Sequence, residues 1–190
     1  KQVDTLKMNG KSFAYISAFG YLSYIPYMTK QSLKKKIGHS AYIATALPYL
    51  MNFEKLNIDY EIDGKTHNID CHLGMISNFE ESAGVVLHPE ADPTDGKFEV
   101  LFLKKITPSG FLRVFPQYLK KKIDLNEFSE FIDVIQTDNL KITFHDLPKY
   151  DLDNDGDRAY ADLTQEKNTI TYTTGKKIKV LMLNQNNHVK

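Results

Sequence analysis

Carboxylates crowd one short stretch of this 190-residue chain: Asp151, Asp153, Asp155 and Asp157, with Asn154 and Gly156 between them and Asp162 following. The spacing matches an EF-hand calcium loop, with oxygen donors at alternate positions, glycine at the sixth and an acid at the twelfth. Such a loop needs a helix on each side, whereas Lys141–Phe144 before it and Thr169–Tyr172 after it alternate like strands, and Asp162 stands where a bidentate Glu is usual. The competing reading is a solvated acidic turn joining two strands. A second acidic turn, Asp92-Pro93-Thr94-Asp95-Gly96-Lys97, opens the apolar run that follows and reads by itself as an Asp-Gly turn.

The elements that would hold these turns are mostly strands. Ser12 to Phe19 is rich in aromatic and apolar residues and stops at Gly20, as a largely buried strand does. Leu56, Ile58, Tyr60 and Ile62 alternate with polar residues, and Asp63-Gly64 then supplies a tight type I′ turn into a strand from Lys65 to Leu73. Further strands are predicted at Lys97–Leu103, Leu140–Phe144, Thr169–Thr173 and Lys177–Leu183, the last two separated by a turn at Thr174-Gly175. Two segments break the rhythm. Ser32 to Leu47 has helical spacing and stops near Pro48, and Pro108 to Lys122 puts Phe111, Leu112, Phe115 and Leu119 on one face, with Pro116 marking a kink or break. The pattern predicts a mainly β chain, a two-layer β-sandwich of antiparallel strands with about two short helices, forming a single domain over residues 1–190.

Composition narrows the function classes. Lys+Arg and Asp+Glu both number 24, which argues against a dedicated nucleic-acid binder. The single cysteine, Cys71, cannot form an internal disulfide or supply a cysteine pair to zinc, and points to a reducing cytoplasm. The six histidines show no metalloprotease or zinc-finger spacing. The chain begins without Met and runs almost at once into a strand pattern, the expectation for a piece of something longer.

Four segments in order carry a resemblance: Val3-Asp4 through Asn9-Gly10 and on to Gly20; Ile37-Gly38-His39-Ser40-Ala41-Tyr42; Asn78, Ala83-Gly84, His88-Pro89-Glu90-Ala91 and Asp95-Gly96; and Asp155-Gly156-Asp157. Together they resemble the C-terminal half of the diacylglycerol kinase family, which includes bacterial lipid kinases and sphingosine kinases. Ala83-Gly84 stands where that family has paired glycines, and Asp157 where Glu is commoner.

The resemblance implies ATP-dependent phosphorylation of a diacylglycerol-like lipid hydroxyl, with ATP held by an N-terminal nucleotide-binding domain whose Gly-Gly-Asp-Gly-Thr motif is not found in these residues. Asp157 would be the general base, and Asp155 would support it or reach the magnesium nucleotide through water. A structural Mg2+ would take the Asp95 side chain and the main-chain oxygens of Asp92 and Lys97. The lipid would approach at the membrane surface along an apolar-aromatic stretch that includes Phe19, Tyr21 and Tyr24, with Lys34–Lys36 and Lys120–Lys122 near anionic headgroups. By itself this chain is expected to be inactive. The alternatives are a calcium-binding β module built on Asp151, Asp153, Asp155 and Asp162, or a non-catalytic regulatory relative of the lipid kinases. Exposed sandwich edges would permit a homodimer.

Overall fold

The computed structural model describes residues 1–20, 23, 29–38, 41, 45, 55–82, 85–104, 106–148, 152–159 and 163–180. Among these the chain forms thirteen strands, β1 (Gln2–Met8), β2 (Lys11–Phe13), β3 (Ile16–Phe19), β4 (Leu56–Ile62), β5 (Lys65–Ser77), β6 (Glu81–Ser82), β7 (Val85–Val86), β8 (Phe98–Lys104), β9 (Ile132–Thr137), β10 (Asn139–Phe144), β11 (Leu152–Asn154), β12 (Asp157–Ala159) and β13 (Thr169–Lys179). Two helices accompany them, α1 (Gln31–Ile37) and α2 (Pro108–Leu119).

Apart from the two-stranded β6–β7 pair, the strands form one antiparallel sheet that folds on itself at β5. Residues 65–71 of β5 pair with β4, which continues through β10, β13, β1 and β2. Residues 71–77 run instead between β8 and β3, with a register shift between Cys71 and Leu73 where the strand passes from one layer to the other. One strand thus belongs to both layers of the predicted sandwich. A bulge that bends a strand and increases its twist is the usual device for this.

Period-two alternation sorts the side chains. Val100 and Phe102 enter the core between the layers with Phe19, Ile58, Ile76, Ile142 and Tyr172. Leu101, Ala18 and Met75 point the other way, into a second core with Phe128, Phe131 and Ile132. A strand apolar on both faces signals burial on both sides, and within β8 Val100–Leu103 reads as a continuous hydrophobic run.

Three tight hairpin turns share one chemistry. Asn9-Gly10, Asp63-Gly64 and Asp155-Gly156 have φ of 48° and 81°, 52° and 71°, and 55° and 89°. Positive φ at both central positions is what a type I′ turn demands, and Asn or Asp before Gly supplies it at least cost.

Several predicted boundaries shift. The Ser12–Phe19 strand is two strands separated by a bend at Ala14-Tyr15. Thr174-Gly175 is not a turn: β13 runs unbroken through it, and Gly175 is required because a Cβ there would lie 2.4 Å from Thr5 Oγ1 at the irregularity in the β1–β13 register. Within the first predicted helix α1 ends at Gly38, whose φ is 57°; Ala41 and Thr45 beyond it are again helical, and the rest of 39–47 lies outside the described residues. Helix α2 continues through Pro116 to Leu119. The described strand β9 has no counterpart among the predicted elements.

Candidate functional site

Asp155 and Asp157 sit on the β11–β12 hairpin at the edge of the larger sheet. Asp155 occupies the turn, and both of its carboxylate oxygens are occupied by backbone. The N–H of Ala14 donates to Oδ2 at 2.7 Å, and those of Tyr15 and Ile16 donate to Oδ1 at 2.8 and 2.9 Å. In return the Asp155 N–H donates to the Ile16 carbonyl at 2.8 Å. These contacts create the bend that splits β2 from β3, because the three N–H groups point to a side chain and not to a neighbouring strand. Asp155 is thereby a staple between the hairpin and the start of β3.

Asp157 opens β12 and is exposed, paired in register with Asn154. It presents a carboxylate on a hairpin whose position Asp155 fixes. The same geometry is not that of an EF-hand. The loop joins two strands and not two helices, Asp155 is spent on backbone N–H groups, and Asp153 Oδ1 accepts the Gly156 N–H at 3.0 Å. Asp151 and Asp162 lie outside the described residues.

The second acidic turn is built by local hydrogen bonds. Asp92 Oδ1 accepts the N–H and hydroxyl of Thr94 at 3.0 and 2.7 Å, and the Thr94 hydroxyl first of all holds its carboxyl below the usual range. Asp95 Oδ1 accepts the Lys97 N–H at 2.8 Å, and its other oxygen faces Gln136 Nε2 at 3.4 Å. Beside them Asp4, 3% exposed, accepts the Gly96 N–H at 3.0 Å, while its own N–H donates to the Pro93 carbonyl at 2.8 Å. Lys177 Nζ donates to the Thr94 carbonyl at 2.8 Å and lies 3.8 Å from the Asp4 carboxylate. Glu99, buried nearby on β8, has its carboxyl pushed up by burial. Carboxylate and carbonyl oxygens are the hard donors a magnesium ion takes, but Asp95 Oδ1 already accepts the Lys97 N–H, and among the described residues no group of three or more His, Cys, Asp or Glu side chains is placed to hold a metal.

A chain of contacts joins the two turns. Asp155 accepts from the Tyr15 N–H at 2.8 Å, the Tyr15 carbonyl accepts the Ser77 hydroxyl at 3.0 Å, the adjacent Asn78 donates to the Asp4 carbonyl at 2.7 Å, and Asp4 accepts from Gly96 at 3.0 Å. The fold therefore brings two segments some 60 residues apart in sequence to the two ends of one polar relay across the end of β5. Sequence reasoning gave Asp4 and Asn78 no role and did not single out Ser77. Their signal is burial: Ser77 is 1% and Asn78 0% exposed, which alternation alone does not reveal.

Of the aromatic residues expected along a lipid cleft, Phe19 is fully buried, with its ring over Gly74 and edge-on to Phe144 at 5.3 Å between centroids. Tyr21 and Tyr24 lie outside the described residues. Lys120, Lys121 and Lys122 are exposed after α2, and Lys35 and Lys36 are exposed on α1.

Comparison with known proteins agrees with this architecture. Residues 19–160 match the family described as the YegS C-terminal NAD kinase beta sandwich-like domain. The chain is 27% identical over 115 residues to a diacylglycerol kinase of Bacillus subtilis strain 168, covering 60% of this chain and 38% of that protein. It is 29% identical over 105 residues to a diacylglycerol kinase of Staphylococcus aureus strain JH9, covering 55% and 33%. Two crystal structures from Bacillus anthracis strain Sterne, one of a candidate diacylglycerol kinase and one of a diacylglycerol kinase, share the fold at TM-scores of 0.65 and 0.56. Each is 19% identical; they cover 93% and 92% of this chain, which spans 54% and 50% of theirs.

Proposed function

Because the chain belongs to the YegS C-terminal NAD kinase beta sandwich-like family, the C-terminal domain of bacterial diacylglycerol and lipid kinases, we propose that its full-length protein transfers the γ-phosphoryl group of ATP to a hydroxyl of a diacylglycerol-like lipid. Since the chain spans only 38% and 33% of the two curated relatives above, ATP would be held mainly by an N-terminal nucleotide-binding domain outside it. The observation that carries the reading is the β11–β12 hairpin: an exposed carboxylate, Asp157, directly follows a turn that Asp155 pins to β3 by three backbone N–H groups.

Phosphoryl transfer asks the protein mainly for positioning and charge stabilisation. Asp157 would accept the proton of the attacking hydroxyl, and Asp155 would hold Asp157 in reach by fixing the hairpin. Magnesium on the nucleotide would supply positive charge against the phosphates, and a separate structural magnesium, held by the Asp95 side chain with the Asp92 and Lys97 carbonyls, would brace the second turn. The relay through Asp4, Asn78, Ser77 and Tyr15 supports a mechanical link between that turn and the hairpin. Phe19 would anchor the start of the apolar stretch from which Tyr21 and Tyr24 meet the acyl chains. The protein would work in the cytoplasm, peripherally at the membrane.

The test is an assay of the full-length protein with radiolabelled ATP and a panel of diacylglycerols, sphingoid bases and related alcohols. Transfer to one of these, reduced about 100-fold or more by Asp157→Ala, is expected for loss of a positioned base. Absence of transfer to every lipid overturns the reading, and an unchanged rate in the variant removes Asp157 from the mechanism.

A further inference from the structure

Asn154, the last residue of β11, holds a side-chain amide that the hairpin does not use. Its Oδ1 is buried and has no hydrogen-bond partner among the described residues, and its Nδ2 meets the Met8 sulfur at 3.8 Å, a weak acceptor. A buried acceptor left unpaired costs free energy, and native structures keep few of them. The local turn bond that an Asn beside Asp-Gly often makes is made here by its neighbour: Asp153 Oδ1 accepts the Gly156 N–H at 3.0 Å.

The strand register fixes where this amide stands. Asn154 pairs with Asp157 on β12 and with Ser17 on β3. Directly opposed residues of antiparallel strands share a face, with Cβ atoms about 5 Å apart. Asp157, Asn154 and Ser17 therefore form one row across three strands. The row faces the core between the layers, where Ser17 Oγ lies 3.1 Å from the Tyr172 hydroxyl and both residues are fully buried. Of the three, only Asp157 is exposed.

An ionised carboxylate and an amide oxygen are both acceptors and cannot bond each other. Protonation reverses this, because a carboxylic acid is an O–H donor and the unpaired Oδ1 is one strand away. We propose that Asn154 is a positioning residue for Asp157, its Oδ1 accepting a hydrogen bond from the Asp157 carboxyl once that group has taken the proton of the attacking hydroxyl. The inference rests on the reading of Asp157 as the base and deepens it. In the transfer the hydroxyl oxygen bonds to the γ-phosphorus, the bond from that phosphorus to the ADP oxygen breaks, and the hydroxyl proton passes to Asp157. The amide holds the acid form until the proton leaves to solvent at the exposed edge. An interaction that forms only as the proton moves acts on kcat and leaves KM alone.

The test is Asn154→Leu in the full-length protein, with Asn154→Ala beside it in case the larger side chain disturbs packing. Loss of one hydrogen bond to the acid form should lower kcat about 3- to 10-fold at unchanged KM. The urea midpoint of Asn154→Leu should stay at or above that of wild type, since an unpaired buried acceptor has been removed. In an Asp157→Ala background neither substitution should lower kcat further. Full kcat in both variants, a change in KM alone, or the same loss of kcat in the Asp157→Ala background overturns the proposal. Nuclear magnetic resonance separates it from the kinase reading. The Asn154 side-chain amide signals should move on acidification of the wild-type protein and stay in place in Asp157→Ala, where Asp153 and Asp155 still titrate. Movement without turnover of any lipid leaves the hydrogen bond standing and defeats the kinase reading, and turnover without that movement does the reverse.

Discussion

The carboxylate of Asp155 accepts the backbone N–H of Tyr15 at 2.8 Å, across 140 residues of sequence. With the Ala14 and Ile16 N–H groups on the same side chain, that contact explains both the bend between β2 and β3 and the position of the hairpin that carries Asp157.

Asp155→Ala should therefore destabilise the fold by about 1–3 kcal/mol, since three backbone donors lose a charged acceptor and Ala must take a left-handed φ. Asp155→Asn should cost less, because Asn keeps one acceptor oxygen and tolerates the φ of 55°. Asp157→Ala, at an exposed position, should stay within about 0.5 kcal/mol of wild type. Urea midpoints at constant m-value report all three, and an Asp155→Ala protein as stable as wild type would show that the staple holds nothing.

Gly74 faces Phe19 across the β3–β5 pair, and a Cβ there would fall 2.1 to 2.7 Å from ring atoms of Phe19. Gly74→Ala should cost about 1–3 kcal/mol by overpacking, lowering Tm by about 2–4 °C for each of those kcal/mol. The damage should shrink when Phe19→Leu is added, because the smaller side chain frees the space; strictly additive losses would mean the two residues do not compete for it.

His88 is 4% exposed, neither ring nitrogen has a hydrogen-bond partner among the described residues, and burial pushes its imidazole down to about 4. The unfolded chain, titrating near 6.5, binds the proton that the folded chain refuses. Stability should thus be full above about pH 6.5 and fall as the pH drops toward 4, by on the order of 3 kcal/mol across that window. Comparing urea unfolding at neutral and mildly acidic pH for wild type and His88→Leu tests this. A pH slope undiminished in the variant assigns the effect to other groups.

Burial pushes the Cys71 thiol up to about 12, so the thiolate that reacts with disulfide reagents is almost absent in the folded state. An aromatic disulfide reagent should modify Cys71 only at the rate of unfolding, accelerating with urea. Prompt labelling in buffer would mean the strand around Cys71 opens locally.

Residue order alone is enough to read the mainly β architecture, the Asp63-Gly64 hairpin and the four ordered segments that resemble lipid kinases. These are short-range matters: alternation, turn chemistry and local motifs are settled within a few residues. It misjudged Ser12–Phe19 and Thr174-Gly175 because their breaks and continuity depend on distant partners, Asp155 in one case and Thr5 in the other. That Asp155 is spent on backbone N–H groups while Asp157 is exposed, and that Asp4, Asn78 and Ser77 join the two acidic turns, follows from the folded chain and not from residue order. A carboxylate's role is set by which donors the fold brings to it, and those donors lie up to 141 residues away in the chain.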